Sequence, residues 1–160
     1  MRSPAGTRHD PAQWAQSTPQ PGGNFLDNGL EFYPRAVYEA LHMVCDDYRW
    51  TGPVYITENG CSDGPSAAAD PPEDDERIAY VRGFLEWIAT AIAEGFDVRG
   101  YYLWSLMDNF DWSAGFSSKY GIAQLDPVTL DRVPKKSARW YADVIAAHHA
   151  RHAHDAASGG

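Results

Sequence analysis

No stretch of this sequence approaches about 18 consecutive apolar residues, the length a membrane-spanning helix needs, so a membrane is not expected as a partner. Its first residues, MRSPAGTRHDPAQW, lack the apolar segment of a secretory signal, and a cytoplasmic location is the expectation. Cysteine is scarce: Cys45, in an expected helix, and Cys61, in an expected loop, have the spacing of neither a disulfide framework nor a zinc knuckle, so both read as free thiols. Positive charge is in deficit too, with 13 Lys and Arg against 22 Asp and Glu and a net charge of -9. The basic residues are scattered and form no stripe, which disfavours nucleic acid as a partner. No internal repeat or heptad array is visible.

What the chain does have is apolar and aromatic residues. A hydrophobic share of 44% over 160 residues supports one domain with a core, and 13% aromatics ask where the rings go. Such rings serve as core or as stacking platforms for sugars, whose axial C–H groups are apolar while the rim is polar. Composition by itself favours core.

Residues 1–28, rich in Pro and Gly without periodicity, are expected to be a loop or disordered lead-in. Pro34 then suits a helix first turn, and Val37, Leu41, Val44 and Tyr48 recur along one apolar face until Gly52 and Pro53. Val54 to Thr57 reads as a buried strand with Glu58 at its C-terminal end, running into the turn signal Asn59-Gly60. A surface loop follows, and Asp74 or Asp75 is expected to cap a long helix with Ile78, Val81, Leu85, Ile88 and Ile92 on its apolar face, stopped by Gly95. Val98 to Leu106 is a second strand candidate, so strand, helix and strand make a βαβ unit with parallel strands. A hairpin over 121–133 and a last helix from Lys135 to about His149 close the pattern, and residues 150–160 are expected to be a flexible tail.

Ligands in α/β folds bind beyond the carboxyl ends of the strands. Glu58 and Asn59 on one strand, and Trp104 leading to Asp108, Asn109, Asp111 and Trp112 on the other, are therefore expected to face one crevice. If Ile56 points into the inner layer, alternation sends Glu58 there too. A carboxylate so placed is a nucleophile or a general acid or base on a glycosidic bond, a metal ligand, or a satisfied ion-pair partner. Trp104 and Trp112 read equally as sugar platforms or as core. His148, His149, His152 and His154, with no strand or turn to fix them, read as a solvated helix end, so no metal and no cofactor are expected.

NGLEFYP at 28–34, ITENG at 56–60, DDERIAY at 74–80, WSLMDNFDW at 104–112, GFSSKYGI at 115–122 and PKKSARWY at 134–141 together resemble glycoside hydrolase family 1, in order and spacing, over residues 29–149. The resemblance implies a partial (β/α)8 TIM barrel: its C-terminal portion, with strand–helix units 7 and 8 and a small hairpin. A whole barrel needs about 250 residues. It also implies Glu58 as the nucleophile of a retaining β-glucosidase. Asn59, Trp104, Asp111, Trp112 and Tyr120 would be residues that shape the site or touch a β-glucoside or related sugar. Asp111 departs from the family, which has Glu there, putting preference among glucose, galactose and fucose in question. Lys119-Tyr120 resembles the phosphate-binding residues of the 6-phospho-glycosidase branch, but the Asp111 carboxylate would repel a phosphate. The second carboxyl of a retaining site lies in an Asn-Glu-Pro motif, and no asparagine here is followed by Glu-Pro. The expected partner is thus the missing N-terminal barrel portion; the alternative is a non-catalytic, sugar-binding remnant.

Overall fold

A computed structural model of the chain describes residues 21–26, 29–63, 73–112 and 114–158. Two parallel strands, β1 (Val54–Asn59) and β2 (Val98–Leu103), are joined by the 19-residue helix α2 (Asp75–Ala93). Ahead of them stands α1 (Ala36–His42); after them come β3 (Ala123–Leu125) and β4 (Arg132–Pro134), an antiparallel hairpin, and α3 (Lys136–Ser158). The fold class is α/β, and the expected βαβ unit and hairpin are present. No helix among the described residues is long and apolar enough to cross a membrane.

The apolar periodicity of α2 puts its inner stripe close to where the residues lie, with a rotation. Ile78, Val81 and Ile88 are buried, but Leu85 is half-buried and Ile92 is 48% exposed. Tyr80, Phe84 and Ala91 take the inner positions instead. The reason is the aromatic packing: Tyr80 stacks on Phe84 with centroids 4.6 Å apart and on Phe32 at 5.7 Å, and with Cys61 and Val81 these rings form the core beneath β2. Rings bury more apolar area than an aliphatic side chain, so they set the face. Gly95, at φ +101, reverses the chain after α2 as its sequence position requires.

Three sequence expectations are corrected. The first helix does not run to Gly52: it turns π-helical over Met43–Asp47 and stops, with Arg49 at φ 57, leaving Tyr48 73% exposed. Asp74 occupies the N-cap position of α2 but makes no cap bond there, because its carboxylate is taken by Ser137 at the start of α3 and by Arg77. The last helix continues to Ser158, through the segment read as a tail. Within the expected lead-in, residues 1–20, 27 and 28 lie outside the described residues; Phe25 pairs with Glu31, and Leu26 packs against the core.

Candidate active site

The C-terminal ends of β1 and β2 meet. Ile56 pairs with Tyr101, but the next pairing is Asn59 with Leu103: three residues advance on β1 against two on β2, a bulge. Simple alternation from Ile56 would put Glu58 on the same face as Ile56, and the bulge overturns that expectation. Ile56 and Asn59 are half-buried, paired with Tyr101 and Leu103, which pack against the α2 core. Thr57 and Glu58 are both exposed, as are Tyr102 and Trp104 on β2 and just beyond it. The extra residue is what presents Glu58 on the open side of the sheet.

Asn59 anchors this strand end. Its side-chain oxygen accepts a 2.8 Å bond from the Tyr101 hydroxyl, and its carbonyl accepts the Trp104 N–H at 2.9 Å. Burial holds the Tyr101 phenol well above its ordinary range, so it remains a neutral donor. The peptide between Trp104 and Ser105 is cis. Gly60 lies directly under the Trp104 carbonyl: a Cβ there would stand 1.9 Å from that oxygen. The obstacle is backbone and cannot rotate away. Gly60→Ala is therefore expected to lower stability by about 3 kcal/mol, measured by chemical unfolding; an unchanged midpoint would show that the Trp104 carbonyl is free to move.

Beyond Ser105 the chain folds into a loop. Asp111 and Gly115 exchange backbone bonds of 2.8 Å in both directions, and the Asp111 carboxylate accepts the Ala114 N–H at 2.7 Å. One oxygen of this carboxylate is thus committed to its own turn, while Trp112 next to it is 98% exposed. Trp104 is 42% exposed. Tyr120 is half-buried, and its carbonyl receives the Ser105 N–H at 3.0 Å, which ties the end of this loop to the start of it. Backbone bonds from Trp104 to Asn59, the neighbour of Glu58, and from Ser105 to Tyr120 gather these residues at the strand ends; Asp111 and Trp112 stand on the adjoining loop.

Beneath that surface lies a buried ionic network that the sequence reading missed. Arg77, fully buried, donates to the Asp63 carboxylate, to Asp74 at 2.8 Å and to the carbonyls of Cys61, Tyr120 and Lys119. Lys135, also fully buried, reaches both oxygens of Asp63 at 2.9 and 2.8 Å and one of Asp108 at 3.1 Å. Asp108 further accepts the Gly121 N–H at 2.9 Å. Asp74 accepts the backbone N–H and hydroxyl of Ser137, so it caps α3, and the positive ends of two helices share its charge. The only advance signal was Asp74 and Arg77 three apart on one helix end; the partners from four other segments leave no periodic trace.

Cys61 lies in this layer, fully buried, and desolvation pushes its thiol up to about 11. Keeping the thiol neutral favours the fold fully below the ordinary thiol range, and this contribution fades as pH rises through that folded value, because the unfolded chain ionises first. Iodoacetamide at about pH 8.5 is expected to alkylate the half-buried Cys45 and spare Cys61, read by peptide mass spectrometry. Equal labelling would contradict the burial of Cys61. Among the described residues no cluster suits a metal ion. A cavity of about 480 Å³ sits at the opposite ends of the strands, lined by His42, Cys45, Trp50 and Glu94 among others, and does not include Glu58.

The family model described as glycosyl hydrolase family 1 matches residues 3–150. The chain belongs to glycosyl hydrolase family 1. It is 45% identical over 116 residues to a 6-phospho-beta-galactosidase of Staphylococcus epidermidis, covering 70% of this chain and 24% of that protein. To a bifunctional beta-D-glucosidase/beta-D-fucosidase of Bifidobacterium breve it is 42% identical over 134 residues, covering 81% and 29%. The family 1 β-glucosidase of Thermotoga maritima superposes with a TM-score of 0.74 at 35% identity, over 81% of this chain and 29% of that one. A beta-glycosidase from Pyrococcus horikoshii gives 0.66 at 35% identity, over 76% and 26%. This family 1 chain therefore spans about a quarter of the length of the relatives it matches.

Proposed function

We propose that this chain is the C-terminal portion of a β-glucosidase-type barrel, with residues 29–149 supplying strand–helix units 7 and 8, and that Glu58 is the nucleophile of retaining β-glycoside hydrolysis. The observation that carries the reading is the placement of Glu58: exposed at a bulge near the carboxyl end of a parallel strand, next to the Asn59 whose carbonyl holds the Trp104 N–H, in a family 1 chain. The Glu58 carboxylate attacks the anomeric carbon as the glycosidic oxygen departs with a proton from an acid on the other barrel portion. A glycosyl ester of Glu58 results. Water, deprotonated by that same second carboxyl group, then displaces Glu58 and releases the sugar with its configuration retained.

Trp104 and Trp112 supply aromatic faces for the sugar, and Asp111 a carboxylate for its hydroxyls, with Asn59 and Tyr120 shaping the site. The glycone in this reading is a neutral hexose. The named relatives include 6-phospho-beta-galactosidases as well as a beta-D-glucosidase/beta-D-fucosidase, but the Asp111 carboxylate would repel a sugar phosphate. The absence of an Asn-Glu-Pro from the sequence favours a second reading, a sugar-binding fragment without turnover when it stands alone. The two separate in one experiment. The chain is incubated with an aryl β-glucoside, with and without a polypeptide supplying the first six strand–helix units, and a glycosyl adduct is sought by mass spectrometry. An adduct on Glu58 in the complemented sample supports the enzyme; an adduct on another residue would remove Glu58 from the role.

A further inference from the structure

Glu58 and Trp104 reach the crevice from the ends of two different strands, which among the described residues form a two-stranded sheet pinned at Asn59. Something beneath must hold the two strand ends in register. Asp63 lies five residues after Glu58 and Asp108 four residues after Trp104, and one ammonium group bridges them: Lys135 Nζ, at 2.8 Å and 2.9 Å from Asp63 and 3.1 Å from Asp108, fully buried. We propose that Lys135 is a positioning residue that locks the segment following Glu58 on β1 to the loop carrying Trp104 and Asp111, an inference that rests on the functional reading of that crevice.

Three features support this role. First, Asp63 and Asp108 each also hold backbone of the 119–121 segment in place: the Asp63 N–H donates to the Lys119 carbonyl at 2.8 Å, and Asp108 accepts from Gly121. The ammonium therefore ties together three segments at the strand ends. Second, the segment has no slack. A Cβ on Gly121 would lie 2.1 Å from the Asp108 nitrogen, so the chains are already as close as backbone permits. Third, without the Lys135 ammonium Asp63 would keep only Arg77 as a cation and Asp108 would keep only backbone N–H donors, leaving two neighbouring carboxylates under-compensated in a largely buried layer. A shift of one loop away from the other would carry Glu58 and Trp104 with it, and catalytic sites lose about 100-fold for a displacement near 1 Å.

The test uses the full chain, isotopically labelled, as wild type, Lys135→Met, Lys135→Arg and Asp108→Asn. Asp108→Asn is milder, since an amide oxygen still accepts from Gly121, and it serves where Lys135→Met fails to fold. Lys136→Met is the control, because Lys136 is exposed and pairs with the exposed Asp75. In backbone amide spectra, Lys135→Met or Asp108→Asn is expected to shift the signals of Glu58, Asn59, Trp104 and Ser105, with Lys135→Arg restoring part of the change. Changes confined to Asp63, Asp108 and their immediate neighbours in a folded variant would overturn the proposal. In parallel, glucoimidazole is titrated; the dissociation constant is expected to rise about tenfold or more in Lys135→Met and to stay unchanged in Lys136→Met. An unchanged constant in folded Lys135→Met also overturns the proposal. Failure of the wild-type chain to bind glucoimidazole even when complemented by the first six strand–helix units would count against the functional reading, and the amide spectra would still decide whether Lys135 fixes the strand ends.

Discussion

Arg77→Met is expected to destabilise the chain by about 3 to 5 kcal/mol, lowering its thermal midpoint by roughly 10 °C. Arg77 is 1% exposed, and its guanidinium serves two carboxylates and three carbonyls drawn from three separate stretches of chain. Methionine matches much of the volume and none of the donors, so Asp63 and Asp74 keep their charge with part of its compensation gone. The carbonyls of Cys61 and Lys119 lose a donor in a layer closed to water. An exposed arginine sets the contrast: Arg99 pairs bidentately with Asp97 through two 2.8 Å bonds, yet both side chains stand largely in solvent. Arg99→Met is expected to leave the thermal midpoint essentially unchanged, since solvent screens this pair. Thermal unfolding followed by circular dichroism distinguishes the two. Equal midpoints for the Arg77 and Arg99 variants would mean that the buried network contributes nothing.

Glu58→Gln in the complemented barrel is expected to cut turnover of an aryl β-glucoside by about 10⁴-fold or more and to abolish the glycosyl adduct, with little change in stability. The amide is nearly isosteric with the carboxylate but is a poor nucleophile and carries no charge to meet the developing oxocarbenium ion. The exposed position of Glu58 is the reason stability should hold, since no buried partner is lost. Sugar affinity is expected to survive through Trp104 and Trp112. Comparable turnover by the variant would end the nucleophile assignment, whereas loss of turnover together with loss of folding would point to a structural role for Glu58.

Much of this architecture was legible from short-range pattern. The run Val54–Thr57, the α2 periodicity, Gly95 and the hairpin over 121–133 each state a local preference that the fold obeys, and six motifs in order carried the family resemblance. Tyr48 misled because its spacing continued the α1 face, while the chain instead widened into a π-helical turn over Met43–Asp47 and left the ring in solvent. The α3 helix ran on through 150–158, where its composition had read as a tail.

The sequence by itself determined the element order, the parallel pair and the candidate residues at its end, because hydrophobic period and turn chemistry act within a few residues. Tertiary structure alone decided two things. The bulge between Ile56 and Asn59 turned Glu58 to the open face, since register depends on the partner strand and not on β1 alone. Asp63, Asp74, Arg77, Asp108 and Lys135 became one buried network because charges distant in sequence find each other only once the core has excluded water around them.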